Sequence, residues 1–240
     1  EFIVASLPDR TGRPIRDILP GWTLQVLPYL PGWSTPDGAW PDPAEQLQIA
    51  GLLGRLHAVQ PPAALLRWDP AITGRDTLRT ALDELDRPWT WGPYSEPTRR
   101  RLAETRDGVQ VMLTRYDELV RDLLAAGDPW VVTHGEPHSA NVVRTEDGRM
   151  HLIDCDTTQF APRERDLAML PDEALDFVLA AYQEHAGPVR VHPERIELFH
   201  LWWVLAETCG CVEGFRQPHT DSLDSEQSWR NLIDSLPQNS

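Results

Sequence analysis

Between Thr133 and Asp156 the chain places an acid, Glu136, an amide five residues later, Asn141, and a second acid, Asp154, at the end of the apolar run Leu152-Ile153. Those residue types suit phosphoryl transfer from a metal-bound nucleotide. One carboxylate can orient or deprotonate an acceptor hydroxyl, while an amide oxygen and a second carboxylate are hard donors for a Mg²⁺ that bridges the β- and γ-phosphates. The same block invites other readings. Glu136, Asn141 and Asp154 are also ordinary turn and cap residues. His134 and His138 suggest zinc, but no glutamate directly follows the first histidine, and Gly135 and Pro137 forbid the helix that would align the pair. Cys155 lies between two acids, which raises a thiol's pKa and disfavours a nucleophile there.

The elements that must position these groups follow from pattern. Trp130 to Thr133, Asn141 to Arg144 and Met150 to Ile153 read as short strands, the last two joined by an Asp147-Gly148 hairpin turn, so each chemical group sits at a strand end where loops converge. Upstream, Asp42-Pro43-Ala44-Glu45 supplies an N-cap, a first-turn proline and an acid, and Ile49, Leu52, Leu53, Leu56 and Val59 follow at helical spacing to Pro61-Pro62. A second helix is expected from about Glu96 to Ala126 with Gly127 as its stop, and later ones at 172–183, 193–213 and 222–236. At the start, Phe2 to Leu7 and Thr23 to Leu30 read as two strands able to pair around the turn residues Asp9 to Pro14. Residues 32–43 read as a connector without periodicity, with a boundary near Pro31. The layout is α+β rather than alternating α/β.

Composition narrows the partners. In 240 residues there are 22 basic side chains, all arginine, against 37 acidic ones, a net charge of −15. That charge repels nucleic acid and anionic lipid and favours cationic ligands. The longest apolar run, Leu198 to Ala206, is broken by His200 and falls short of the roughly 20 residues of a membrane span. Three cysteines, an odd number without a signal peptide, point to a reducing compartment, the cytoplasm. Cys209-Gly210-Cys211 reads as small helix residues rather than a metal site, and Arg99-Arg100-Arg101 as a solvated helix face.

His134-Gly135-Glu136, Asn141 and Ile153-Asp154 together resemble the signature of the aminoglycoside phosphotransferase and choline kinase-like family, distant relatives of the protein kinases, in which H-G-D-x-x-x-x-N precedes a strand ending in I-D. The resemblance implies a two-lobe protein-kinase-like fold, with a mostly helical C-lobe and a small β insert carrying the catalytic loop. It implies Glu136 as catalytic base, His134 as brace of the loop, Asn141 and Asp154 as ligands of Mg²⁺ and nucleotide (ATP or GTP), and Asp166 as the acid that bonds back to the loop. By the same resemblance Pro28, Tyr29 and Leu30 face adenine as a hinge, and the helix ending at Arg55-Leu56-His57 is the first of the C-lobe. Glu136 stands where the pattern usually has Asp. No lysine or glycine-rich loop precedes Trp22, so residues 1–31 are expected to be the end of a nucleotide-binding lobe that begins upstream, with 32–240 as the C-lobe.

The resemblance implies a small, hydroxylated substrate such as an aminoglycoside. The acids Asp156, Glu207, Glu213, Asp221 and Asp224, which a solvated surface also explains, would meet a cationic one if they line the cleft, with Trp203 at its edge. No nucleic-acid or membrane partner is expected. Trp203 and its neighbour Trp202 are otherwise read as core. The rival classes are a non-catalytic kinase-like binding module, suggested by Glu136 and the missing lysine, and a metal-dependent hydrolase built on His134, His138 and Asp154.

Overall fold

Asp42, itself extended, caps the first helix: its carboxylate accepts a hydrogen bond from the Glu45 amide at 3.1 Å, and Pro43 takes the first helical position. The computed structural model describes residues 2–36, 42–171 and 174–237, which form two compact units, Glu1–Trp68 with Pro129–Val191 and Asp69–Asp128 with His192–Ser240.

The first unit holds β1 (Ile15–Leu19), β2 (Trp22–Gln25), β3 (Gly32–Trp33), α1 (Pro43–His57), β4 (Val131–Thr133), β5 (Val142–Thr145), β6 (Met150–Leu152), β7 (Gln159–Ala161), α4 (Glu164–Leu167) and α5 (Leu175–Ala186). Its three small sheets are antiparallel: β1 with β2, β4 with β7, and β3-β5-β6. α1 ends at His57, leaving Val59, expected to close the apolar stripe, exposed, but it buries Ile49, Leu52, Leu53 and Leu56 and packs on α5. Gly54 permits that closeness, since a Cβ there would lie 2.3 Å from the Tyr182 carbonyl oxygen on α5. Gly54→Ala is therefore expected to cost about 1–3 kcal/mol by forcing the helices apart. A thermal melt checks this, and an unchanged midpoint would show that the helices yield without cost.

The second unit is helical: α2 (Arg75–Asp83), α3 (Ser95–Ala126), α6 (Pro193–Phe215) and α7 (Leu223–Ser235). α3 turns Leu102, Val109, Leu113, Tyr116, Leu119 and Leu123 inward and stops at Gly127, whose φ of 67° suits a residue without Cβ. α6 packs against α2, α3 and α7 with Leu198, Leu205, Cys209 and Val212 buried. Burial pushes the Cys209 and Cys211 thiols up to about 12, in keeping with core residues.

Several expectations needed correction. Phe2 to Leu7 is not a paired strand: Ile3 makes one isolated parallel bridge to Leu152, and the Leu7 amide reaches the Val26 carbonyl. The hairpin lies further along, between β1 and β2. Pro20 fixes φ and Gly21, at φ 79°, completes a two-residue turn there, while Asp9 spends its carboxylate on the Thr11 and Arg13 amides. Residues 32–43 are not wholly a connector, since Gly32–Trp33 adds a strand to β5. The helix expected from residue 172 begins at Leu175, and residues 172–173 lie outside the described residues. Trp203 is 37% exposed rather than core, and of the three arginines Arg100 is exposed as expected while Arg99, half-buried, donates from Nε and Nη2 to Glu96.

Candidate active site

The block from Thr133 to Asp156 occupies the ends of β4, β5 and β6 in the first unit. The hairpin register sets Val142 opposite Leu152, and the Ile153 amide donates to the Asn141 carbonyl at 3.0 Å. Asn141 is thus held beside the residue before Asp154. On the other sheet, Thr133 lies opposite Gln159, and Arg67 lies over the rings of Trp130 (4.3 Å) and Phe160 (5.1 Å), bracing β4 against β7.

The loop after β4 is pinned from behind by Asp166. This fully buried carboxylate accepts from the backbone amides of His134 (Oδ2, 2.7 Å) and Gly135 (Oδ1, 2.7 Å) and from His57 Nε2 (3.0 Å). Burial alone would raise its pKa, but the His57 hydrogen bond, the His134 amide and Arg165 outweigh it and hold the carboxyl below its ordinary range. Gly135 sits at φ 105°, and a Cβ there would lie 2.5 Å from the Arg165 guanidinium and 2.6 Å from Thr157 Oγ1. Arg165, which burial pulls below its ordinary pKa, donates to Thr133 Oγ1 (3.0 Å) and the Thr157 carbonyl (3.1 Å), and Thr157 Oγ1 donates to the His134 carbonyl (2.9 Å).

His134 is buried and its two ring nitrogens are both occupied. Nε2 lies 2.8 Å from the Ile153 carbonyl, which can only accept, so that nitrogen carries the proton; Nδ1 accepts from the Glu136 amide at 3.3 Å. The ring therefore ties the loop to the strand leading to Asp154, and neither nitrogen is left for zinc. Among the described residues no group of three His, Cys, Asp or Glu side chains is gathered as a metal cluster, so His134, His138 and Asp154 do not form the site that the hydrolase reading requires.

The front of the site is open. Neither the Glu136 nor the Asp154 carboxylate is hydrogen-bonded or ion-paired to a described residue, although Arg165 feels the charge of Glu136. Asn141 donates from Nδ2 to the Glu136 carbonyl (3.0 Å) and to His138 Nε2 (3.3 Å), which fixes its amide and leaves Oδ1 as the unused acceptor. Asp154 has φ 60° and ψ 60°, and is the single non-glycine residue at positive φ among those described. That conformation is costly for most side chains and marks a position held by its surroundings. Asp156 is exposed nearby, and burial, then the charges of Asp154, Asp156 and Asp166, push the Cys155 thiol up.

The remaining candidates lie elsewhere. Pro28, Tyr29 and Leu30 precede β3, whose Gly32 is opposite Thr145, at the end of β5 remote from Asn141; Tyr29 is 88% exposed. Trp203, Glu207 and Glu213 lie on α6 in the second unit. Glu207 accepts from Asn231 Nδ2 (2.9 Å), while Glu213 lines an open groove of about 390 Å³ with Asp76, Thr77, Thr80, Arg216 and Gln217. Sequence reasoning missed the support of the loop by His57, Thr133, Thr157, Arg163, Arg165 and Tyr182, and it missed β7. The available signal was Arg163-Glu164-Arg165-Asp166, a run of four charges after a strand that no amphipathic pattern explains, of which the last three are buried.

Solved structures share this fold. A spectinomycin phosphotransferase, solved with ADP and spectinomycin, superposes with a TM-score of 0.77 at 12% identity over 98% of this chain and 73% of its own. An aminoglycoside phosphotransferase from Alicyclobacillus acidocaldarius gives 0.64 at 14% identity, covering 98% and 74%, and a choline kinase from Streptococcus pneumoniae gives 0.59 at 14%, covering 98% and 74%. No curated protein sequence matches the chain significantly. The protein-kinase-like α+β architecture expected from the motif is thus the one observed. The profile of the phosphotransferase enzyme family matches residues 18–199, about three quarters of the sequence, and the chain belongs to that family.

Proposed function

We propose that the protein transfers the γ-phosphate of ATP or GTP to a hydroxyl of a small cationic molecule, an aminoglycoside-type antibiotic being the class that suits it. The observation that carries this reading is the pairing of an anchored loop with open chemistry. Asp166, His134 and Arg165 fix the backbone on one side, and on the other Glu136, Asn141 Oδ1 and Asp154 present oxygens that no described residue engages. Glu136 orients the acceptor hydroxyl and takes its proton as the new P–O bond forms and the bond from the γ-phosphorus to the departing nucleoside diphosphate breaks. Asn141 and Asp154 are hard oxygen donors of the kind Mg²⁺ takes, and the fixed amide orientation fits that role. A bound Mg²⁺ would neutralise charge developing on the phosphates. His134 keeps the loop in register, so that catalysis rests on positioning and charge rather than a covalent intermediate.

The backbone of Pro28, Tyr29 and Leu30 makes no hydrogen bond to a described residue, which leaves its polar groups for an adenine or guanine edge. In this reading residues 1–31 belong to the nucleotide-binding lobe and 32–240 to the substrate lobe. Asp156, exposed two residues beyond Asp154, meets the cationic acceptor, and the net −15 draws such a ligand in. The setting is the cytoplasm, where nucleotide is supplied and where Cys155, Cys209 and Cys211 stay as the free thiols they are here. Modification of an antibiotic hydroxyl would confer resistance.

The test is calorimetric titration of ATP and GTP into the full natural protein with and without Mg²⁺, followed by a screen of aminoglycosides and amino alcohols for release of the nucleoside diphosphate. Mg²⁺-dependent binding and acceptor-dependent release are expected. If neither nucleotide binds, the site is a non-catalytic module and the reading is wrong. If release proceeds only with uncharged acceptors, the transfer stands and the cationic class falls.

A further inference from the structure

Behind the loop runs a line of buried groups that phosphoryl transfer does not itself use. Arg163, at the start of α4, donates from Nη1 to the Tyr182 hydroxyl on α5 (3.0 Å); the hydroxyl lies 2.8 Å from His57 Nδ1 on α1; and His57 Nε2 lies 3.0 Å from Asp166 Oδ2, back on α4. Tyr182 and Asp166 have no exposed surface and the His57 side chain has none either.

The direction of these bonds follows from donor and acceptor chemistry. A guanidinium can only donate and a carboxylate can only accept, so Arg163 fills an acceptor site of the hydroxyl and His57 must present Nε2–H to Asp166. The Tyr182 hydroxyl proton has no acceptor among the described residues other than His57 Nδ1. Burial, partly opposed by Arg163, pushes that hydroxyl up to about 12, so it keeps its proton at neutral pH. With Nδ1 accepting, the imidazole holds its own proton on Nε2. The other tautomer would turn a lone pair toward the buried carboxylate and remove one of its three donors.

We infer that Tyr182 is a positioning residue for the transfer proposed above, on which its kinetic role rests. Its hydroxyl selects the Nε2–H tautomer of His57, so that Asp166 keeps the donor set that holds the His134–Gly135–Glu136 backbone in place. Among the described residues the Tyr182 hydroxyl is hydrogen-bonded to Arg163 and His57 and to no residue of the loop, so its hold on the loop passes through His57 and Asp166. Gly54 makes this possible by letting the Tyr182 backbone close on α1.

Tyr182→Phe removes only the hydroxyl. In ¹⁵N NMR of the histidine rings, the natural protein is expected to show His57 as a single Nε2–H tautomer, and Tyr182→Phe a mixture. Turnover should fall about 10-fold with the nucleotide KM unchanged within about twofold. In a His57→Gln background, where a donor to Asp166 remains but the link to Tyr182 is gone, Tyr182→Phe should change turnover by less than about twofold. An unaltered His57 tautomer in Tyr182→Phe, or an equal loss of turnover in both backgrounds, would overturn the inference. So would a lowered melting temperature with unchanged turnover, the signature of a merely structural hydroxyl. If Tyr182→Phe does not accumulate, Arg163→Met is read the same way, because it empties the acceptor side of the hydroxyl and should let the tautomers mix. Should the natural protein itself show no turnover, the proposed function fails, and the NMR comparison still decides the tautomer.

Discussion

Asp154→Asn is expected to lower nucleotide-dependent turnover about 10³-fold, about 4 kcal/mol of transition-state stabilisation, while the melting temperature stays within about 2 °C of the natural protein. The two halves of that expectation have separate causes. Asp154 is exposed, engages no described residue and sits at φ 60°, ψ 60°, a conformation that Asn adopts at least as readily as Asp. The substitution is nearly isosteric, so the fold loses neither a contact nor a favourable backbone state. The site loses a full negative charge at the point where a divalent cation would be held, and an amide binds Mg²⁺ far less well than a carboxylate. Steady-state kinetics beside a thermal melt would check both halves. Turnover near that of the natural protein would remove Asp154 from the reaction. A collapse in stability would mean that its carboxylate supports the fold in a way the structure does not show.

The placement of the proposed site residues is easier to read from the sequence than its support, for a physical reason. Residues proposed to meet a ligand are constrained in type and spacing, and Asn141 and Asp154 are brought together by one local element, the β5–β6 hairpin, whose Asp147-Gly148 turn is explicit in the chain, with the Glu136 carbonyl tied to Asn141 Nδ2. α1 was equally legible, because cap, proline and apolar stripe agree. The groups that hold the loop come from α1, α4 and α5, far apart in sequence and individually unremarkable: a histidine at a helix end, a tyrosine in an apolar helix, an arginine in a charged run. Only tertiary packing makes them partners, and no local propensity records it. β7 escaped for the same reason, since Gln159-Phe160-Ala161 is a strand through its pairing with β4 and through Trp130 and Arg67 rather than by pattern. The first hairpin was misplaced because two turn signals compete, and the one with proline followed by glycine fits a two-residue connection while Asp9 to Pro14 closes on itself.

Asp166→Ala carries the largest expected effect on stability, about 3–5 kcal/mol, or a fall of about 10 °C in melting temperature for a chain of this size. The substitution strands three donors at once, the His134 and Gly135 amides and His57 Nε2–H, in a place with no exposed surface from which water could satisfy them. Arg165, already destabilised by burial, also loses the larger of the two charges, Asp166 and Glu136, that favour its protonated form. The pH dependence is a second readout with a fixed sign. Because the folded state holds this carboxyl below its ordinary value of 3.8, the folded protein binds the proton more weakly than the unfolded chain does. Its stabilisation is complete above that value and drains away as pH falls through the still lower folded-state value. The natural protein should therefore lose stability below about pH 4 more steeply than Asp166→Ala, which has no such carboxyl to protonate. Denaturant unfolding at pH 7 and at a series of acid values measures both quantities. If the two proteins have equal stability at pH 7, the loop is anchored by something other than Asp166. If they differ at pH 7 yet lose stability in parallel below pH 4, the anchor is real but its carboxyl already shares its proton with the network rather than holding a full charge.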